Sequence, residues 1–241
     1  MNTSPENFAA TRWTLVARAS GDDPAARSAL SELCAAYYAP VIAFLRARGR
    51  DEDAARELAH AFFEKVLAGG ALGGADRERG RFRSYLLGAV KHFLADRHDR
   101  AQTAKRGGGA DTLPLDAHPT DAPGLAAPAR PEDERAFDRQ WALTLIARAL
   151  EITETELRDA GKAEQFTVLK PWITGGGETF PQAAAAHQLG LSEGAVKVAI
   201  HRLRQRFREA VKAEIAQTVP TPADIDDELR HLLAVLLTCA G

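Results

Sequence analysis

Ala186, Gly190 and Val196 stand at offsets of four and six, and few folds accept that spacing beside a cationic amphipathic stretch. A small residue lets two helices cross closely, a glycine takes the left-handed conformation of a tight turn, and an apolar side chain six places later packs the second helix back on the first. The spacing predicts a short helix over residues 180–188, a turn at Gly190 and a second helix whose N-terminus Ser192 caps. At about 100° per residue, Val196, Ile200, Leu203 and Phe207 share one narrow sector, the packed face. Outside it lie Gly194, Val198, His201, Arg202 and Gln205, flanked by Lys197, Arg204, Arg206 and Arg208. Such a helix is packed on one side and cationic on the other, a form the major groove of DNA admits. The plainer alternative is a solvated or partner-binding helix.

Periodicity elsewhere is helical too, with no convincing strand alternation, so the expected fold is all-α. Asp23 and Pro24 form a helix start, and Leu30, Leu33, Tyr37, Val41, Phe44 and Leu45 recur at helical spacing until Gly49. A second helix begins near Asp51 and carries Leu58, Phe62, Phe63, Val66 and Leu67; a third, over residues 82–104, carries Phe82, Leu86, Val90, Phe93 and Leu94. Pro131 opens another helix with Phe137, Trp141, Leu145 and Ala149, and Thr153 with Glu156 reads as a capping box for the next. Between them, residues 107–130 are rich in Gly, Pro, Ala and Asp, which bury too little apolar surface to order themselves, and read as a flexible linker. The last 25 residues carry Ile225, Leu229, Leu232, Leu233 and Leu236 as an apolar stripe behind acidic Asp224, Asp226, Asp227 and Glu228. The expected organisation is a helical domain over residues 1–106, a linker over 107–130, a helix-turn-helix domain over 131–217 and a C-terminal extension helix over 218–241. A chain of 241 residues is long enough for two such cores.

The net charge of −2 conceals a local imbalance. From Arg77 to Arg106 there are nine basic residues against three acidic ones, so two cationic blocks sit in a chain that is otherwise acidic, as in a polyanion binder. The two cysteines, Cys34 and Cys239, make no disulfide framework, and a reducing cytoplasm is the expected compartment. No secretory signal and no apolar run long enough to span a bilayer is present in the sequence. The seven histidines show no metal-ligand spacing, the glycine clusters lack the strand before and the Lys-Ser/Thr after that a phosphate loop needs, and Asp51, Glu52 and Asp53 read as a negative helix start. No cofactor, metal or catalytic constellation is expected.

The segments "ARELAHAFFEKVL" (residues 55–67) and "RGRFRSYLLGAVKHFLADRHDR" (residues 79–100), followed by a linker and the helix-turn-helix, give an order in which the chain resembles the sigma-70 family of RNA polymerase sigma factors, of the extracytoplasmic-function group, in a subgroup with a C-terminal extension. The resemblance implies a region 2-like bundle, a region 4-like helix-turn-helix domain and promoter-specific transcription initiation, with core RNA polymerase and promoter DNA as partners. It leaves an anti-sigma factor or a regulatory kinase open as a further partner, and implies a monomer when free. It places polymerase contacts at Glu57, His60 and Phe63. Minus-10 contacts fall at Arg81, Arg83, Tyr85, Lys91, His92, Arg97 and Arg100, where aromatic groups beside cations suit the capture of unstacked bases. Minus-35 contacts fall at Ser192, Lys197, Val198, His201, Arg202, Arg204, Arg206 and Arg208, with Arg202 the foremost direct contact. His60, Ala61, His92 and Val198 depart from the family pattern; Val198 can touch only a thymine methyl. The acidic tail is expected to pack on the helix-turn-helix domain and modulate promoter access. Two rivals remain: a stand-alone helix-turn-helix regulator whose bundle dimerises or senses, and an adaptor whose basic helices meet acidic proteins.

Overall fold

The computed structural model describes residues 24–67, 80–107, 129–176 and 181–238. All the regular structure among them is helical: α1 (Pro24–Ala47), α2 (Glu52–Leu67), α3 (Phe82–Gly107), α4 (Pro131–Asp159), α5 (Ala163–Leu169), α6 (Pro171–Thr174), α7 (Gln182–Leu189), α8 (Glu193–Ala216), a 3₁₀ turn (Pro222–Asp224) and α9 (Ile225–Leu237). Local chemistry sets the ends. Gly49, at φ 81°, stops α1, and the Asp51 carboxylate accepts the Ala54 N–H at 2.8 Å to start α2. At α4 the bond runs the other way: Asp133, in the first turn, accepts the N–H of Arg130, the residue before the helix, at 2.9 Å. Thr153 is no cap: it lies inside the 29-residue α4, buried, and its hydroxyl donates to the Ala149 carbonyl at 2.7 Å. Continuous apolar periodicity across that point outweighs the local capping signature.

The chain divides into two compact units, and the division differs from the expected one. One unit comprises the described residues up to Thr144 together with those from Ala216 onward; the other is Leu145–Ile215. The division therefore falls inside α4, not at the start of it. Most of the expected linker, residues 108–128, lies outside the described residues, as does Phe180.

In the first unit, α1, α2, α3 and the front of α4 bury Tyr37, Val41, Phe44, Leu58, Phe62, Phe82, Leu86, Val90, Phe137 and Trp141. Trp141 anchors this core, its ring stacked on Tyr37 at 4.4 Å and 13° and tilted against Phe82 at 6.0 Å. The C-terminal tail belongs to this unit and not to the helix-turn-helix. Thr218 and Val219 are buried, and the Thr218 carbonyl accepts the first N–H of α3, that of Phe82, at 2.8 Å. Of the expected tail stripe, Leu232 is buried but Leu233 is 48% exposed; Glu228 and Val235 take the inner positions with it. The second unit is built on Leu157, Phe166, Leu169, Trp172, Ala185, Ala186, Val196, Ile200 and Leu203.

Candidate nucleic-acid interface

Within the second unit, α7 and α8 are two helices joined by a tight turn at Gly190. Gly190 sits at φ 63° and ψ 29°, and the Leu191 N–H reaches back to the Ala186 carbonyl at 2.9 Å, closing the turn. Ala185 and Ala186 are buried where the helices cross, and Val196 is wholly buried against them. The Ser192 hydroxyl accepts the Ala195 N–H at 3.2 Å, leaving Ser192 as cap at the exposed start of α8. Lys197, Val198, His201, Arg202, Arg204, Arg206 and Arg208 are all exposed.

Those exposed residues spread over a wide arc of α8, which exposed Val198 and Gln205 connect across its middle. Helical register puts Lys197, His201, Arg204 and Arg208 on one flank of the packed stripe and Arg202 and Arg206 on the other. On that second flank, Arg202, Arg206 and Val198 line an open groove of about 430 Å³ together with Lys162, Leu157, Phe166, Leu169 and Leu191. Arg204 is partly committed, its Nε donating to the Trp172 carbonyl at 3.2 Å, which ties α6 to α8. The groove was missed in the sequence because its floor comes from three helices, and no single periodicity reports it.

The first unit treats its expected DNA contacts less evenly. Arg83 is 7% exposed: its Nε donates to Glu228 Oε1 at 2.8 Å and its Nη1 to Asp138 Oδ1 at 2.5 Å. Burial alone would lower the guanidinium's pKa, but the Glu228 hydrogen bond and the Asp138 charge outweigh it, so Arg83 is held even more firmly as a cation. The expected contact of Arg83 with DNA is therefore closed off in this structure, because the side chain lies inside the unit and is held by Glu228 and Asp138. Arg81 Nη1 lies 3.0 Å from Glu228 Oε2, and Lys91 Nζ lies 2.5 Å from Glu134 Oε1. His231 Nε2, from α9, lies 2.9 Å from the other oxygen of Asp138. Tyr85 and Arg97 are half-buried, whereas His92 and Arg100 are exposed. His92 Nδ1 lies 3.5 Å from Asp96 Oδ2, which also accepts a hydrogen bond from Lys65 at 3.0 Å; that bond chiefly holds the Asp96 carboxyl below its usual range.

Of the expected polymerase contacts, Glu57 and His60 are exposed on α2. His60 pairs with the Tyr38 hydroxyl at 3.0 Å. Phe63 is 6% exposed, stacked on Tyr38 at 5.9 Å and edge-on to Phe62, so it is a core residue and its expected contact role is corrected. Among the described residues no three His, Cys, Asp or Glu side chains cluster as a metal site, and no helix is long and apolar enough to cross a membrane. Compared with known proteins, the chain matches no family model, no curated protein and no solved structure.

Proposed function

We propose that the chain is a transcription initiation factor of the extracytoplasmic-function sigma type, which binds core RNA polymerase through the first unit and directs it to promoter DNA. The observation that carries the reading is the closed helix-turn-helix turn, with Gly190 at φ 63°, buried Ala186 and Val196, and an exposed cationic flank on α8. Lys197, His201 and Arg208 would meet the minus-35 element there, Lys197 and Arg208 chiefly through phosphates. Exposed His92 and Arg100 on α3 support a second contact with DNA, and exposed Glu57 and His60 on α2 a contact with polymerase. The reading contains no catalytic step of the chain's own.

Burial of Arg83 and Phe63 favours a second reading, the stand-alone helix-turn-helix regulator, because both residues were expected at partner surfaces. The two are separated by adding purified chain to core RNA polymerase from its host, following co-elution and transcript start sites, with a Glu57→Ala, His60→Ala double variant in parallel. Co-elution and specific initiation, both weakened in the variant, support the sigma reading; tight DNA binding without association with polymerase supports the regulator.

A further inference from the structure

The contact between the tail and the start of α3 has a chemistry that a purely structural strap does not need. Glu228 is 1% exposed and faces two arginines, yet its Oε2, 3.0 Å from Arg81 Nη1, takes no hydrogen bond among the described residues. A buried carboxylate paired with two guanidiniums in this way stabilises little more, and often less, than an apolar side chain of similar volume would. What such a pair supplies instead is a specific and exchangeable docking. Guanidinium forks match carboxylate and phosphate by the same bidentate geometry. The groups facing the cluster are Arg81 and Arg83 at the start of α3, Asp138 on α4, and Glu228 and His231 on α9, so the tail contributes one of the two carboxylates that hold the arginines. The tail helix is also incompletely seated, with Leu233 48% and Leu237 75% exposed.

We propose that α9 is an autoinhibitory latch in which Glu228 occupies Arg81 and Arg83 in place of a nucleic-acid phosphate, so that DNA and the tail compete for the same two cations. The proposal rests on the DNA-binding reading above, and it explains how residues in a cationic stretch come to be covered. When DNA binds, the Glu228 ion pairs break, α9 lifts from the start of α3, and Arg81 together with the Nε edge of Arg83, whose Nη1 stays on Asp138, takes backbone phosphates.

The test uses the full chain and a fluorescent single-stranded oligonucleotide of mixed sequence. Glu228→Gln keeps the shape of the side chain and removes its charge. It is expected to bind the oligonucleotide about fivefold to tenfold more tightly than the parent, with a salt dependence steeper by about 0.7 to 1.4, as one or two added phosphate contacts require. A second measurement needs no variant: amide hydrogen exchange across residues 225–237 of the parent chain is expected to speed up when the oligonucleotide is bound. Unchanged affinity in folded Glu228→Gln, or unchanged exchange in the tail of the bound parent, overturns the latch while leaving DNA binding by the chain intact. Absence of binding to this oligonucleotide and to duplex DNA alike, in parent and variant, overturns the DNA-binding reading and the latch together.

Discussion

Arg83 and Glu228, 145 residues apart in the chain, meet inside the first unit with Nε 2.8 Å from Oε1 and both side chains buried. Removing one partner leaves the other charge desolvated and uncompensated. Arg83→Ala is expected to lower unfolding free energy by about 3–5 kcal/mol, measured by denaturant titration. An Arg83→Met, Glu228→Leu double variant is expected to lose less than the sum of the Arg83→Met and Glu228→Leu losses, because each single change strands the other charge and the double does not. Strictly additive losses would show that the two side chains do not act as a pair.

Gly190 holds the turn of the helix-turn-helix at φ 63°, and a Cβ built there meets nothing within 4 Å. Strain is then purely conformational. Gly190→Ala is expected to cost about 1–2 kcal/mol without loss of fold, read from thermal melting with intact far-UV circular dichroism.

Trp141 is fully buried, stacked on Tyr37, and its Nε1 has no hydrogen-bond acceptor among the described residues. The indole is therefore present for its area and not its N–H, so Trp141→Phe removes a desolvated donor along with some volume. We expect a loss of about 1.5 kcal/mol for Trp141→Phe against about 4 kcal/mol for Trp141→Ala. A Phe variant as unstable as the Ala variant would show that the N–H is needed after all.

Under the DNA-binding reading proposed above, the cations on the two flanks of α8 differ in their effect on duplex binding. Lys197→Ala is expected to weaken binding across all sequences and to reduce the salt slope by about 0.9. Arg206→Ala, at the mouth of the groove, is expected to leave that slope within about 0.3 of the parent's. Equal changes in both would mean that the helix meets DNA with a single broad face.

Burial pushes the Cys34 thiol up to about 11. At pH 8 only about one thiol in a thousand is then ionised, and the thiolate is the reacting form. In a Cys239→Ser background, alkylation of Cys34 in the folded chain is expected to run at least a hundredfold slower than after denaturation, and to accelerate about tenfold per pH unit up to about pH 10.

Helix positions were legible because they rest on short-range signals. Gly49, Asp51, Pro131 and Gly190 act on the residues beside them, and the recurrence of Val196, Ile200 and Leu203 reports a packed face wherever that face is packed. The capping signature at Thr153 failed for the same reason in reverse, since four residues cannot reveal that α4 continues through them.

The sequence by itself determined that the chain is helical among its described residues, that a glycine turn joins α7 to α8, and which stripe of α8 faces inward, because backbone geometry and a period of 3.6 residues act within a few positions. Only the tertiary structure decided that Arg83 is buried, that the acidic tail joins the first unit, that Phe63 is core, and that Arg202 and Arg206 border a groove. Charge and apolarity name a side chain's needs, but which distant residue meets them is settled by packing across separations such as the 55 residues between Arg83 and Asp138.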